Sequence, residues 1–322
     1  MPATVPFAAH PVWIQNWVIP LAGVPQFSRL CGREDEVLIW LCDASPAWVI
    51  WPCARAERAR RGMCGRLPTL AGYRSSTWRR GIGHGRRVRR SQDHWLLLHG
   101  TPLTPAVWDG VAACLTRSGT VFTPAITPVG DARDAQGALA ARLTTEVARP
   151  NGRLHVVGHS FGGQVALDLA LLAPHRVATL TLLCSRDTPF PAFAAASARL
   201  RGGAPVDADA ALSRWFTPAE LDRGGPVVSY ARRCVQQADR RSWAAALDAI
   251  ARYDRAGRTA SIRIPATLIA AELDQVSTPA AMSDLASRLP RATLQILPGA
   301  AHMTPFTDPV ALAEHILRAA GR

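Results

Sequence analysis

The stretch LHVVGHSFGG, residues 154–163, constrains this chain more than any other. A run of strand character (Leu154, Val156, Val157) stops at Gly158, and a helix-like apolar run, FGGQVALDLALL, begins at Phe161. A chain can turn that abruptly only where side chains are missing around the apex. Gly158 and Gly162 stand two residues to either side of Ser160. In a parallel sheet, the residue between a strand and its following helix lies at the carboxyl edge, where α/β folds place ligands. Gly163 is read as loosening the packing further.

The rest of the chain from residue 94 onward supplies such a sheet. HWLLLHG (94–100), TVFTPAI (120–126), RLHVVGHS (153–160), RVATLTLLCS (176–185), ATLIAAELD (266–274) and ATLQILPG (292–299) read as strands. AVWDGVAACLTRSG (106–119), DAQGALAARLTTEVARP (134–150), PAAMSDLASRLP (279–290) and DPVALAEHILRAA (308–320) read as helices between and after them. This alternation predicts an α/β fold: a mostly parallel sheet with helices on both faces, over residues 94–322. Residues of about 188–262 break the rhythm. They hold helices and loops without a clear strand, and are expected to form a helical cap at one edge.

Residues 1–93 have a different texture. The chain carries 37 arginines, no lysine and 24 acids, for a net charge of +13. Residues 1–93 hold 14 arginines against 6 acids, whereas residues 94–322 hold 23 against 18. The tracts ARAERARRGMCGRL and RRGIGHGRRVRRSQ have no helical or strand period. They read either as a tail for RNA or another anionic surface, or as a basic N-terminal extension that is disordered or not native coding sequence. The mild basicity of the second part demands no nucleic-acid partner. No run reaches the roughly 18 apolar residues of a membrane span. The nearest, Val37 to Trp51, is broken by Asp43, Ser45 and Pro46. The N-terminus lacks the pattern of a signal peptide, so a cytoplasmic location is expected, with no membrane partner. Of seven cysteines, Cys31, Cys42, Cys53 and Cys64 are spaced by eleven, which matches no metal-ligand pattern. Neither a metal site nor a disulfide framework is expected.

A serine hydroxyl becomes a nucleophile only when a base removes its proton and an acid orients the base. Both partners are expected later in the chain, on loops at strand ends. Asp274 closes the strand ATLIAAELD, and His302 follows the strand LQIL in LQILPGAAHMTPF. Ser160, Asp274 and His302 are therefore the candidate catalytic residues, in that order. The oxyanion that forms on acyl transfer needs two backbone donors. The N–H of Phe161, after the nucleophile, and that of Thr101, in LLLHGTPLTPAVW, are the candidates. Asp187, in LLCSRDTPF, is a rival acid. His99 is read as bracing the loop after its strand, His159 as packing locally and His155 as a satisfied core residue.

With these motifs on the page (LLLHG, VVGHSFGG, AELDQVSTP and PGAAHMTPFTDP), residues 94–322 closely resemble the α/β-hydrolase superfamily. The resemblance implies an eight-stranded, mostly parallel sheet with a helical lid after the sixth strand, and neither a metal nor an organic cofactor. RWFTPAEL and GAAHMTPFTDP are similar to the 3-oxoadipate enol-lactonase branch and its esterase relatives. The implied function is a serine hydrolase that cleaves a small-molecule carboxylic ester or lactone through an acyl-enzyme intermediate. A cofactor-free haloperoxidase-like perhydrolase, a C–C bond hydrolase and a non-catalytic binding protein are the alternatives on the same scaffold. Three departures stand out. No antiparallel strand pair is legible in residues 60–93. AITPVGDARDAQ replaces the family's D-x-x-G-x-G-x-S loop, and Ala271 replaces a glycine three residues before the acid. In the cap, Arg214, Arg232, Arg233 and Arg255 read either as receivers of a substrate carboxylate or as a solvated basic face.

Overall fold

The computed structural model describes residues 92–128, 134–147 and 152–322, together with three short strands before them. Those strands, β1 (Phe27–Cys31), β2 (Glu36–Trp40) and β3 (Val49–Pro52), pair as an antiparallel meander. They fall in one compact unit, residues 1–85, and everything below belongs to the other, residues 86–322. No strand is legible in this stretch from sequence, and the expectation that residues 1–93 form a disordered or non-native extension falls mostly on residues outside those described. FSRLC, EVLIW and VIWP are too short and too irregularly spaced to stand out from Arg- and Trp-rich surroundings. The two arginine tracts lie outside the described residues, apart from Gln92 at the end of the second.

In the second unit the sheet has six strands: β4 (Gln92–Leu98), β5 (Gly119–Phe122), β6 (Gly152–His159), β7 (Val177–Leu183), β8 (Ala266–Ala271) and β9 (Ala292–Leu297). Their order is β5-β4-β6-β7-β8-β9, and every pairing is parallel. The helices are α1 (Asp109–Leu115), α2 (Ala135–Glu146), α3 (Phe161–Leu172), α4 (Ala192–Arg201), α5 (Ala208–Leu212), α6 (Pro218–Arg223), α7 (Pro226–Gln237), α8 (Arg240–Arg252), α9 (Ala256–Thr259), α10 (Pro279–Arg288) and, after the last strand, α11 (Pro309–Ala319). The sheet among the described residues is thus two strands short of the eight implied by resemblance. The stretch where an antiparallel pair was sought, 60–93, lies almost wholly outside those residues.

Strand geometry divides the core into two layers, because successive side chains point to opposite faces. Leu96, Leu98 and Val156 join α2, α3, α8 and α10 on one face. Trp95, Leu97, Val157 and Leu183 join α1, α11 and much of the cap on the other. β6 lies between β4 and β7, and every residue from Leu154 to His159 is buried. Helix α3 is buried almost all round, from Phe161 to Ala170, which its continuous apolar sequence requires.

Helices α4–α9 form one excursion between β7 and β8. Loops at the carboxyl ends of the strands, the start of α2 and helix α3 hold it by polar contacts. Tyr230 on α7 donates to the Thr104 carbonyl and accepts from the Thr104 N–H, each at 3.0 Å, and burial pushes its phenol up to about 12. The Met303 N–H donates to the Trp215 carbonyl at 2.9 Å. Arg255 closes the far end on Asp168 and Asp134, each at 2.7 Å. Tyr253 Oη donates to the Gln164 carbonyl at 3.0 Å.

The six-stranded sheet and both core layers lie inside residues 86–322. Removing residues 1–85 is therefore expected to leave a soluble chain with native near-ultraviolet circular dichroism and a cooperative thermal transition. An insoluble 86–322 fragment from a soluble parent would show that the first unit completes the fold.

Candidate active site

Ser160 joins β6 to α3 with φ 54° and ψ −119°. Among the described residues only Ser160 and Cys184 are non-glycine residues with positive φ, a conformation that costs free energy and persists only where surroundings impose it. The glycines explain how it is imposed. A Cβ on Gly158 would lie 2.4 Å from the Gly162 carbonyl oxygen, and one on Gly162 would lie 2.2 Å from the Leu98 carbonyl oxygen. Strand, turn and helix are in backbone contact. Gly163 does not loosen this packing, as the sequence suggested: its Cβ would meet Ser185 Oγ at 2.4 Å, so it too marks a close approach. Ser185 Oγ donates to the Ser160 carbonyl at 2.8 Å, and the Ser160 N–H donates to the Leu183 carbonyl at 3.0 Å, holding the turn from both sides.

Asp274 follows β8, and its carboxylate is buried. Oδ1 accepts the N–H groups of Val276 (2.7 Å) and Ser277 (3.0 Å). Oδ2 accepts from His302 Nδ1 at 2.7 Å. Burial alone would raise the Asp274 pKa, but the imidazole and the two amides outweigh it and hold the carboxyl below its usual range. An ionised carboxylate is an acceptor only, so Nδ1 donates the shared proton and Nε2 is the ring nitrogen that would take a further one. Ser160 and His302 line the same cavity. No hydrogen bond yet joins the serine hydroxyl to the ring among the described residues, a contact that commonly tightens only around a substrate.

The rival acid is already occupied. Asp187 is fully buried and takes a two-pronged contact from Arg288, at 2.6 and 2.9 Å, and a hydroxyl from Thr259 at 3.2 Å. Thr101 lines the cavity with Ser160 and His302. Phe161 is the first residue of α3, so its N–H belongs to the turn that lacks intrahelical acceptors, while its side chain is buried in the core. His99 Nδ1 donates to the Gly100 carbonyl at 2.8 Å and Nε2 accepts from the Ile126 N–H at 3.2 Å. Burial lowers its pKa, and a neutral ring in this tautomer ties together the loops after β4 and β5. His159 is driven well below its usual pKa by burial, with its ring 4.8 Å from that of His302 and 4.9 Å from that of Phe306. His155 stacks on Trp95 at 4.6 Å and hydrogen-bonds Thr179 Oγ1 at 2.7 Å.

The cavity measures about 310 Å³. Apolar side chains make its walls, among them Leu103, Leu200, Trp215, Trp243, Ile250 and Met303, and Arg199 and Arg214 reach its rim. Of the four cap arginines picked out in sequence, only Arg214 lies there. Arg232 pairs with Asp209, Arg255 with Asp168 and Asp134, and Arg233 is exposed away from the cavity. Sequence reasoning missed Cys184. At φ 47° it follows β7, and Cys184, Asp274 and His302 bring one ligand-type atom each within 4.8 Å of the others. A cysteine at a strand end carries no pattern that would have announced this. The trio is the one group among the described residues compact enough to hold a metal ion, but the carboxylate and imidazole already bind each other.

A family model described as the alpha/beta hydrolase family matches residues 95–315. A pimeloyl-[acyl-carrier protein] methyl ester esterase of Nitrosomonas europaea is 38% identical over 91 residues, which cover 28% of this chain and 36% of that protein. The match thus spans about a third of that relative. A Variovorax paradoxus protein named as a carbamate hydrolase is 31% identical over 209 residues, covering 60% of this chain and 74% of the relative. Among solved structures, a hydrolase from Pseudomonas aeruginosa superposes with a TM-score of 0.65 at 26% identity, over 72% of this chain and 91% of its own.

Asp187→Asn removes the charge opposite Arg288 and is expected to cost about 3 kcal/mol of stability, read as a lower denaturation midpoint. Asp274 has a depressed carboxyl, so its stabilisation is present above the ordinary aspartate range and is lost as pH falls through the depressed value. The melting temperature of Asp274→Asn should accordingly fall less on acidification than that of the parent. Parallel melting curves against pH would refute the assignment.

Proposed function

The chain belongs to the alpha/beta hydrolase family and is a hydrolase, and from that premise we propose that it cleaves a small-molecule carboxylic ester or lactone with Ser160 as nucleophile, His302 as general base and Asp274 as its orienting acid. One observation carries the reading: a serine held at positive φ shares a cavity wall with an imidazole whose other nitrogen is bonded to a buried carboxylate. The two curated relatives support its chemistry. One is named for a methyl ester and the other for a carbamate, and both names describe a carbonyl bonded to a heteroatom.

The substrate carbonyl settles over Ser160 with its oxygen toward the N–H groups of Phe161 and Thr101. Ser160 Oγ attacks the carbonyl carbon as its proton passes to His302 Nε2. The carbonyl π pair moves onto oxygen, where the two amides stabilise it without reorganising. Asp274 stabilises the imidazolium. Collapse expels the alkoxide, which takes the proton from Nε2 and leaves an acyl group on Ser160. Water then attacks by the same route, with His302 again as base, and the acid departs. In a lactone the alcohol stays tethered to the acyl chain. Protons and electron pairs balance with these groups alone, so the proposed reaction calls on no cofactor.

Ser160→Ala should lower hydrolysis of p-nitrophenyl esters by about three orders of magnitude or more and abolish labelling by a fluorophosphonate probe, with the melting temperature near that of the parent. Labelling that persists in Ser160→Ala would exclude this nucleophile. Asp274→Asn should cut kcat by at least about a hundredfold with little change in KM, because Asn permits the wrong imidazole tautomer. A large loss of kcat in a folded Asp187→Asn variant, with Asp274→Asn near normal, would transfer the acid role to the other strand end.

A further inference from the structure

Within residues 94–322 the excess positive charge is gathered in the cap. Residues 188–262 hold 11 arginines and 7 acids, whereas the rest of 94–322 holds 12 and 11. Several cap arginines are neutralised locally. Arg201 and Arg252 both reach Asp248, at 3.2 and 2.8 Å, Arg232 reaches Asp209 at 2.6 Å, and Arg255 reaches Asp168 at 2.7 Å. Arg199 on α4 and Arg214 after α5 differ in two ways. Both line the cavity that contains Ser160, and among the described residues neither side chain has a hydrogen bond or an ion pair. Asp207 shares the rim and caps α5 by accepting the Ala210 N–H at 2.9 Å, so the rim holds two guanidinium groups and one carboxylate. Arg214 is also tied to the reacting end. Its neighbour Trp215 accepts the N–H of Met303, which follows His302.

An apolar chamber with a nucleophile inside and two unpartnered guanidinium groups at its mouth suits a molecule with a hydrocarbon stretch and a terminal anion. We propose that the cavity selects esters or lactones bearing a carboxylate remote from the scissile bond, and that Arg199 and Arg214 receive that carboxylate. The proposal rests on the esterase reading above and adds the substrate class. Guanidinium is planar and always charged, and presents paired N–H donors that match a carboxylate. Both side chains are exposed, so each contact is worth little in water. Two together should favour the anionic substrate by about tenfold in kcat/KM, chiefly through KM, because the contact is the same before and during reaction.

The test compares the p-nitrophenyl monoester of suberic acid with p-nitrophenyl octanoate, which has the same chain length and no remote charge. The full-length protein is expected to prefer the suberate ester about tenfold, and the preference should shrink as potassium chloride is added. In Arg199→Gln/Arg214→Gln the ratio should fall to about one, whereas Arg241→Gln, away from the cavity, should keep it. Calorimetric titration of Ser160→Ala with monomethyl suberate gives a readout without turnover, and affinity should drop about tenfold when both arginines are replaced. Equal rates for the two esters, a preference that survives the double substitution, or no binding of monomethyl suberate would overturn the proposal. Hydrolysis of octanoate without preference would leave the esterase reading standing. Absence of turnover of either ester, with suberate binding lost in the arginine variants, would refute the esterase reading and keep the carboxylate site.

Discussion

The close approach of three backbone segments around Ser160 is the constraint on which the rest depends. β4, β6 and α3 meet there with carbonyl oxygens where side chains would otherwise stand, above all at Gly158 and Gly162. The strain at Ser160 persists because neighbouring elements hold the residue on both sides, through the Leu183 carbonyl and the Ser185 hydroxyl. The same contact fixes what surrounds it. A Cβ on Gly100 would lie 2.9 Å from His159 Nδ1 and 3.1 Å from Ser160 Cβ, so the loop carrying Thr101 is pressed against the turn. Position is thereby set for the candidate nucleophile and candidate oxyanion donors together.

Buried charge is the second organising element, and it is handled differently at the two strand ends that could supply an acid. At the end of β7, Asp187 is neutralised by Arg288 and a threonine hydroxyl, and so ties that strand end to α10. At the end of β8, Asp274 is met by two amides and an imidazole, none of which carries a permanent charge. A carboxylate bonded to an imidazole favours a proton on that ring. One already paired with guanidinium has little left to offer. The cap follows a similar division. Arg255 anchors it on Asp168 and Asp134, while the arginines at the cavity mouth have no such partner.

Much of this was legible from periodicity and punctuation. Every strand and helix read from residue 94 onward is present, with ends displaced by a few residues where Pro, Gly or a cap residue sets the boundary, as Asp134 does for α2 and Thr278 for α10. β1–β3 escaped, because short strands amid arginine and tryptophan give no sustained alternation. Gly163 was misread, since sequence shows an absent side chain but not the neighbour that requires its absence. Among the cap arginines, composition could not separate Arg214 at the cavity from Arg232 and Arg255 in ion pairs, and it gave no reason to notice Arg199.

The sequence by itself determined the order of elements, the parallel sheet, the turn at Ser160 and the strand-end placement of Asp274 and His302. All of these follow from local periods and from residues whose backbone demands are intrinsic. Tertiary structure alone decided which carboxylate meets the imidazole, which tautomer His99 and His302 adopt, which arginines are free, and that Cys184 lies against Asp274. The physical reason is range. Backbone preference acts over a few neighbouring residues, whereas an ion pair or a cavity wall is made by groups far apart in the chain, here 28 residues between Asp274 and His302 and 101 between Asp187 and Arg288.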